Sequence, residues 1–231
     1  MISLRKSADR GLTEIDWLKS YHTFSFGDYY DPQYMGFGTL RVINQDTVQP
    51  SQGFGTHQHR DMEIISYVIE GALEHKDSMG TGSVIKPGEI QRMSAGTGVA
   101  HSEFNASKDE LVHFLQIWIL PTRAGLTPSY EQKKLPQGKQ NELVLIGSPE
   151  GGEYAITIHQ DAYLYVAHLV GHKSVNYLFK PERKGWLQLI KGVVTANGQR
   201  LEQGDGAAIT DTPSLTIESV SNAEFLLFDL K

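Results

Sequence analysis

The chain has 231 residues, a formal charge of −6 and no cysteine. The length accommodates one large domain or two β-domains that each bury a core. The missing cysteines exclude disulfides, thiolate zinc sites and cysteine nucleophiles, so any metal must rest on nitrogen and oxygen ligands; the absence of a Lys/Arg cluster argues against direct nucleic-acid binding.

Met1-Ile2-Ser3-Leu4-Arg5-Lys6 lacks the continuous apolar core of a signal peptide. No stretch approaches the ~20 apolar residues that span a bilayer, so a soluble cytoplasmic protein with no membrane partner is expected. Twenty-three glycines, ten tyrosines and nine phenylalanines among short, interrupted apolar runs favour many strands joined by turns.

In chain order, Asp16-Trp17-Leu18-Lys19 reads as a short helix with Asp16 as N-cap. The aromatic run His22-Thr23-Phe24-Ser25-Phe26-Gly27-Asp28-Tyr29-Tyr30 reads as a core strand and its edge in preference to a substrate platform. Gly55-Thr56-His57-Gln58-His59 places two imidazoles at i, i+2, on one face of a strand. Val68 to Glu74 is strand, Gly71 turn, strand; Asp77-Ser78-Met79-Gly80 is a hairpin turn, and Lys86-Pro87-Gly88-Glu89 a further break. Ala100-His101-Ser102-Glu103 supplies a second i, i+2 pair, and Leu111 to Trp118 is a strand running to the core. Pro121 to Gly152, with four prolines, reads as crossover and linker, which divides the chain into 1–140 and 141–231.

The same skeleton returns in the second half: Gln188 to Thr195 is strand, Gly192 turn, strand; Ala196-Asn197-Gly198 is a turn, and Gln203-Gly204-Asp205 stands where Pro87-Gly88-Glu89 stood. The expected fold is therefore a duplicated β-barrel. Counting from the shared glycines puts Leu178 and Lys180 at the positions of His57 and His59, and Ile217 and Ser219 at those of His101 and Glu103. No ligand pair survives there, so the chemistry is assigned to the first half.

A lone His-x-His is ordinarily coincidence, but two i, i+2 pairs framed by glycine turns point to a metal held by His57, His59, His101 and Glu103. Three neutral imidazoles and one carboxylate leave a six-coordinate divalent ion two positions for exogenous ligands. Iron(II) is the first expectation; nickel, manganese, cobalt, copper and zinc are alternatives. Glu63 continues the odd-numbered face and competes with Glu103, which ranks higher because His101 is its neighbour on one strand face. Glu63, Gln116 and backbone carbonyls are candidate partners for the second imidazole nitrogens. His22, His75, His113, His159, His168 and His172 read as structural or solvated. His101-Ser102-Glu103 is not a deaminase motif, because no cysteine pair follows.

His57-Gln58-His59-Arg60-Asp61-Met62-Glu63, Tyr67-Val68-Ile69-Glu70-Gly71, Asp77-Ser78-Met79-Gly80 and the run from Met93 to Glu103 resemble the pirin family of the cupin superfamily. Trp17, His22 to Phe26 and Leu40-Arg41-Val42-Ile43-Asn44 look like the N-terminal signatures of its bacterial members. The resemblance implies an all-β bicupin, two tandem jelly-roll barrels, the first binding one metal, usually iron, through residues matching His57, His59, His101 and Glu103. It gives Glu63 no ligand role. Gly96 stands where general cupins often carry proline, as is normal for pirins.

Bacterial members act as quercetin 2,3-dioxygenases, which open the flavonol ring with O2 and release carbon monoxide. Glu103 is then the candidate catalytic base, with a flavonol and O2 as partners. The alternative is a metal-dependent regulatory protein that binds a protein partner without turnover, since eukaryotic relatives are described as nuclear transcription cofactors. Metal-assisted enolisation of a sugar or keto acid is a third use of the same ligands.

Overall fold

The computed structural model describes residues 1–231. Its regular structure is twenty-two strands and one 3-10 turn, Ser7–Asp9, and no helix is long and apolar enough to cross a membrane. The chain forms two compact units: one from Gly11–Leu135 with Glu150–Gln160, the other from Met1–Arg10, Pro136–Pro149 and Asp161–Lys231. The all-β, two-barrel expectation holds.

The contiguous split at residue 140 differs from these units over residues 1–10, 136–140 and 150–160. Ile2–Arg5 pairs antiparallel with Gly206–Ile209, and Asp205 accepts hydrogen bonds from Lys6 Nζ at 2.7 Å and the Ser7 amide at 2.7 Å, so the first ten residues belong with the last. Residues 150–160 return to the other unit, where Arg92 Nε donates to the Thr157 carbonyl at 2.9 Å and the Thr157 amide to Glu131 at 2.7 Å. Composition marks a linker but not the strand with which it pairs.

Asp16–Lys19 is not a helix. Gly11–Ile15 and Leu18–His22 form a hairpin, and Leu18, Ser20 and His22 point inward in strict alternation. Period-two burial outweighs a single capping residue.

In the unit that begins at Gly11, a seven-stranded sheet runs in the order Ser129–Lys134, Glu89–Ser94, Glu63–Glu70, Val112–Ile119, Leu40–Val48, Leu18–His22, Gly11–Ile15. A four-stranded sheet runs Gly53–His59, Val99–Asn105, Leu73–Asp77, Gly82–Ile85. Leu18, Val48, Val68, Val112 and Phe114 from the first sheet meet Leu73 and Ile85 from the second, forming an apolar layer between them. Two residues along each of five strands the inner face turns polar: Ser20, Asp46, Ser66, Gln116 and His75 follow Leu18, Val48, Val68, Phe114 and Leu73. Glu103 lies opposite His75 and completes this second layer.

The other unit has six strands in the order Ile2–Arg5, Gly206–Ile209, Lys184–Lys191, Ala223–Leu230, Ala162–Leu169, Val144–Ser148, and a smaller sheet of Ser174–Leu178, Ser214–Ser219, Val193–Ala196, Gln199–Glu202. In its interior Leu187, Leu189, Val194, Ala196, Leu215, Ile217, Phe225 and Leu227 pack as one core, and Asp229, two residues beyond Leu227, is buried with Tyr177 Oη and Arg183 Nε donating to it. Asn197 and Gly198 both carry positive φ, as their hairpin turn requires.

Gly71 and Gly192 occupy the same turn in the two units, between a central strand of the large sheet and the strand of the small one that follows it in the chain. Both have positive φ, 79° and 86°. A Cβ would stand 2.4 Å from the Leu111 carbonyl oxygen at Gly71 and 2.2 Å from that of Asn222 at Gly192. Gly71→Ala is therefore expected to lower stability by at least roughly 1–3 kcal/mol, the cost of the left-handed backbone before any clash. Urea unfolding of the variant beside the parent chain measures it.

Candidate metal centre

His57 and His59 lie on Gly53–His59 and His101 on Val99–Asn105, and the antiparallel register sets His57 directly opposite His101. The three rings have centroids 4.5 to 4.9 Å apart. Their ligating nitrogens fall within 4.8 Å of one another, and His57 Nε2 is 3.1 Å from His101 Nε2. Metal–imidazole bonds of about 2.0–2.1 Å place neighbouring nitrogens roughly 3 Å apart, so the spacing fits a shared ion.

A bulge shapes this cluster. After His57↔His101 the next partner of Glu103 is Phe54, so three residues of one strand span two of the other. The bulged backbone presents the Gly55 carbonyl to His57 Nδ1 at 2.8 Å. That carbonyl can only accept, so it fixes the Nδ1 proton and leaves Nε2 with a free lone pair. Burial also favours neutral imidazoles, holding His59 down to about 4 and, with its three histidine neighbours, His101 to about 2.

Glu103 is 3 % exposed and accepts hydrogen bonds from Gln116 Nε2 at 2.6 Å and Ser66 Oγ at 3.2 Å. Burial raises its carboxyl above the ordinary range against the pull of those bonds. Its carboxylate clusters with His101 and with His75, which the sequence reading set aside as structural or solvated. The overlooked signal was a third i, i+2 pair, His75 and Asp77, which the hairpin register lays against Glu103 and His101.

Glu63 is elsewhere. It accepts hydrogen bonds from Ser94 Oγ and, at 3.0 Å, from His159 Nδ1. Positive φ at Asp61 interrupts the strand between His59 and Glu63, so the odd-numbered face does not continue. Of the three partners expected for imidazole nitrogens, a backbone carbonyl serves His57, whereas Gln116 serves Glu103. His113 bonds Gln45 at 2.9 Å, away from the cluster.

Above the imidazoles lies a cavity of about 250 Å³. It is lined by aromatic and apolar side chains, Phe26, Phe54, Leu18 and Trp118, and by polar ones, Thr13, Ser20, His22, Asn44 and Asp46. The aromatic run at His22–Phe26 thus reaches the site that the sequence reading denied it. His22 is pinned by Asn44 Oδ1 at 2.8 Å on Nδ1 and Thr13 Oγ1 at 2.8 Å on Nε2. Trp118 stands edge-on to His59, with centroids 4.9 Å apart.

The first half matches the family model "Pirin" over residues 4–119, and residues 145–230 match "Quercetinase C-terminal cupin domain". The chain belongs to the pirin family. A pirin relative from Escherichia coli K12, named quercetin 2,3-dioxygenase, is 48% identical over 230 residues, covering 100% of this chain and 99% of that protein. The crystal structure of YhhW from Escherichia coli matches with a TM-score of 0.97 at 47% identity, over 100% of this chain and 98% of that one. A second crystal structure, of bacterial pirin YhhW in complex with nickel(II), matches with a TM-score of 0.94 at 48% identity, over 100% and 99%.

Within this pirin the second unit puts other side chains at the cluster positions. Leu215 pairs with Tyr177 as His101 pairs with His57, and Ile217 pairs with Ala196 as Glu103 pairs with His75. The equivalents of His57, His101 and Glu103 are thus Tyr177, Leu215 and Ile217, one or two residues from the counted positions. Leu215 and Ile217 are buried in that unit's apolar core, with Tyr177 packed against it.

Asp46, 3 % exposed, is pushed up to about 7 by burial, reinforced by the Glu103 charge and opposed by Ser20. Unfolded, the same group titrates near 3.8, so the folded chain keeps a proton that the unfolded chain releases. Stability contributed by the neutral acid is complete below pH 4 and is lost as pH rises through 7. Between pH 5 and 8 Asp46→Asn is expected to gain roughly 2–3 kcal/mol relative to the parent chain, at about 1.36 kcal/mol per pKa unit. Urea unfolding of both metal-free proteins at the two pH values reads the difference.

Proposed function

We propose that this pirin is a metal-dependent dioxygenase that opens the heterocycle of a flavonol such as quercetin with O2, with His57, His59, His101 and Glu103 as ligands of one divalent transition metal. The observation that carries the reading is the convergence of three imidazoles, two of which line a cavity that also holds aromatic and polar side chains. Iron(II) is the first assignment on these nitrogen and oxygen donors, and the nickel(II) complex of the related Escherichia coli pirin supports nickel as an alternative. When bound, the metal supplies positive charge for a deprotonated substrate oxygen and a meeting point for O2.

The chain's own residues do the rest. Phe26, Phe54 and Trp118 offer faces and edges to a flat polycyclic ring, which fixes its plane. Glu103 takes the proton of the flavonol 3-hydroxyl, and the burial that raises its carboxyl above the ordinary range favours the protonated form it then adopts. Gln116 and Ser66 hold that carboxylate in one orientation while it exchanges the proton. The electron-rich flavonolate adds O2 across C2 and C4 and loses carbon monoxide, so the substrate supplies the reducing electrons and no nicotinamide or flavin is needed.

Protein reconstituted with nickel(II) or iron(II) under anaerobic conditions is expected to bleach quercetin and release carbon monoxide once O2 is admitted. Glu103→Gln keeps the shape but not the base, and should lower kcat by roughly 10²–10⁴-fold. His57→Ala should lose both bound metal and turnover. Full turnover by metal-stripped protein, or by either variant, would sink the reading.

A further inference from the structure

Behind His101, on the side away from the imidazole cluster, lies a buried chain of polar groups that the proposed reaction does not use. His101 Nδ1 is 3.5 Å from His75 Nδ1, and His75 Nε2 is 2.9 Å from Asp77 Oδ2. The His75 and Asp77 side chains are fully shielded from solvent. The other Asp77 oxygen accepts the backbone amides of Met79 and Thr81 at 2.9 and 3.1 Å, so the turn Asp77-Ser78-Met79-Gly80 clamps the carboxylate. Tyr130 covers the His75 ring, with centroids 5.0 Å apart and planes 35° apart.

We propose that His75 and Asp77 are positioning residues that fix the tautomer and orientation of His101, so that its Nε2 lone pair faces the metal. The inference rests on the ligand assignment made above. It follows from donor and acceptor counting. An Asp77 carboxylate can only accept, so His75 carries its proton on Nε2 and shows a bare Nδ1 to His101. His101 then donates Nδ1–H to His75, and Nε2 is left free, 3.1 Å from the free Nε2 of His57. The opposite tautomer of His75 would set the Nε2 lone pair against the carboxylate. His57 reaches the same state through the Gly55 carbonyl, but only His101 is backed by a negative charge, which makes it the stronger donor.

His75 also belongs to a second convergent triad with His101 and Glu103, so the competing arrangement is His75 as a direct ligand. The tests separate the two. In ¹⁵N-histidine NMR of the full chain, metal-free and zinc-loaded, His75 is expected as the Nε2–H tautomer and His101 as Nδ1–H. His75→Phe removes the acceptor and should weaken nickel(II) binding, read by chelator competition, about 10–100-fold. His75→Asn keeps an acceptor near the Nδ1 position and should recover part of that loss. X-ray absorption at nickel should count the same imidazoles in His75→Phe as in the parent.

An Nδ1–H tautomer at His75, unchanged affinity in His75→Phe, or one imidazole fewer at the metal would each overturn the proposal. The tautomer measurement needs no variant, so it decides even where His75→Phe does not fold. A chain that binds nickel normally but turns over no flavonol would defeat the dioxygenase reading and leave the relay standing. A parent chain that binds no nickel would overturn the ligand assignment and the relay with it.

Discussion

A carboxylate inside a β-barrel is costly unless its oxygens are met by donors, and that requirement organises this protein. Glu103 is buried among the strands with Gln116 and Ser66 on its two oxygens. Those partners come from Val112–Ile119 and Glu63–Glu70, two adjacent strands of the seven-stranded sheet, while Glu103 itself lies in the four-stranded one. Satisfying one charge therefore ties the two sheets together at a fixed depth. The imidazoles lie beside that depth because His101 is two residues from Glu103 on the same strand face.

The layering gives the site its shape. Below the polar residues, Leu18, Val48, Val68, Val112 and Phe114 close the space between the sheets. Above them, aromatic and polar side chains together line the cavity. The other unit runs apolar residues through the corresponding depth, with Leu215 and Ile217 at the positions of His101 and Glu103. One backbone plan thus supports either a reactive pocket or a solid core, and the choice lies in which residue stands at every second position of a few strands.

Much of this was legible in the sequence. The two i, i+2 pairs, the duplicated strand–glycine–strand units and the asymmetry between the halves all depend on spacing along one strand, which periodicity records. Strand pairing is not recorded there. His75 looks structural or solvated in the sequence because its importance comes from the strand beside it. The aromatic run at His22–Phe26 hid its role for the same reason: the cavity above the imidazoles is assembled from segments distant in the chain. Asp16 misled because its capping signal is local, whereas the alternation of Leu18, Ser20 and His22 has meaning only against a core. The counted equivalents Leu178 and Ile217 missed their registers by one and two residues, since a count carries no knowledge of bulges.

The pairing of Ile2–Arg5 with Gly206–Ile209 bears on how the chain is made. The unit that begins at Gly11 has all its residues by Gln160, so it can close while synthesis continues. The other unit owns both Ile2–Arg5 and its partner strand some two hundred residues later. During that interval Ile2–Arg5 has no partner, and its exposed edge must be kept from pairing wrongly. Closing so long a loop adds only slowly to the entropy cost, but it delays the event. The barrel that carries the imidazoles therefore precedes the other in order of completion, and Ile2–Arg5, made before it, is among the last strands to find its place.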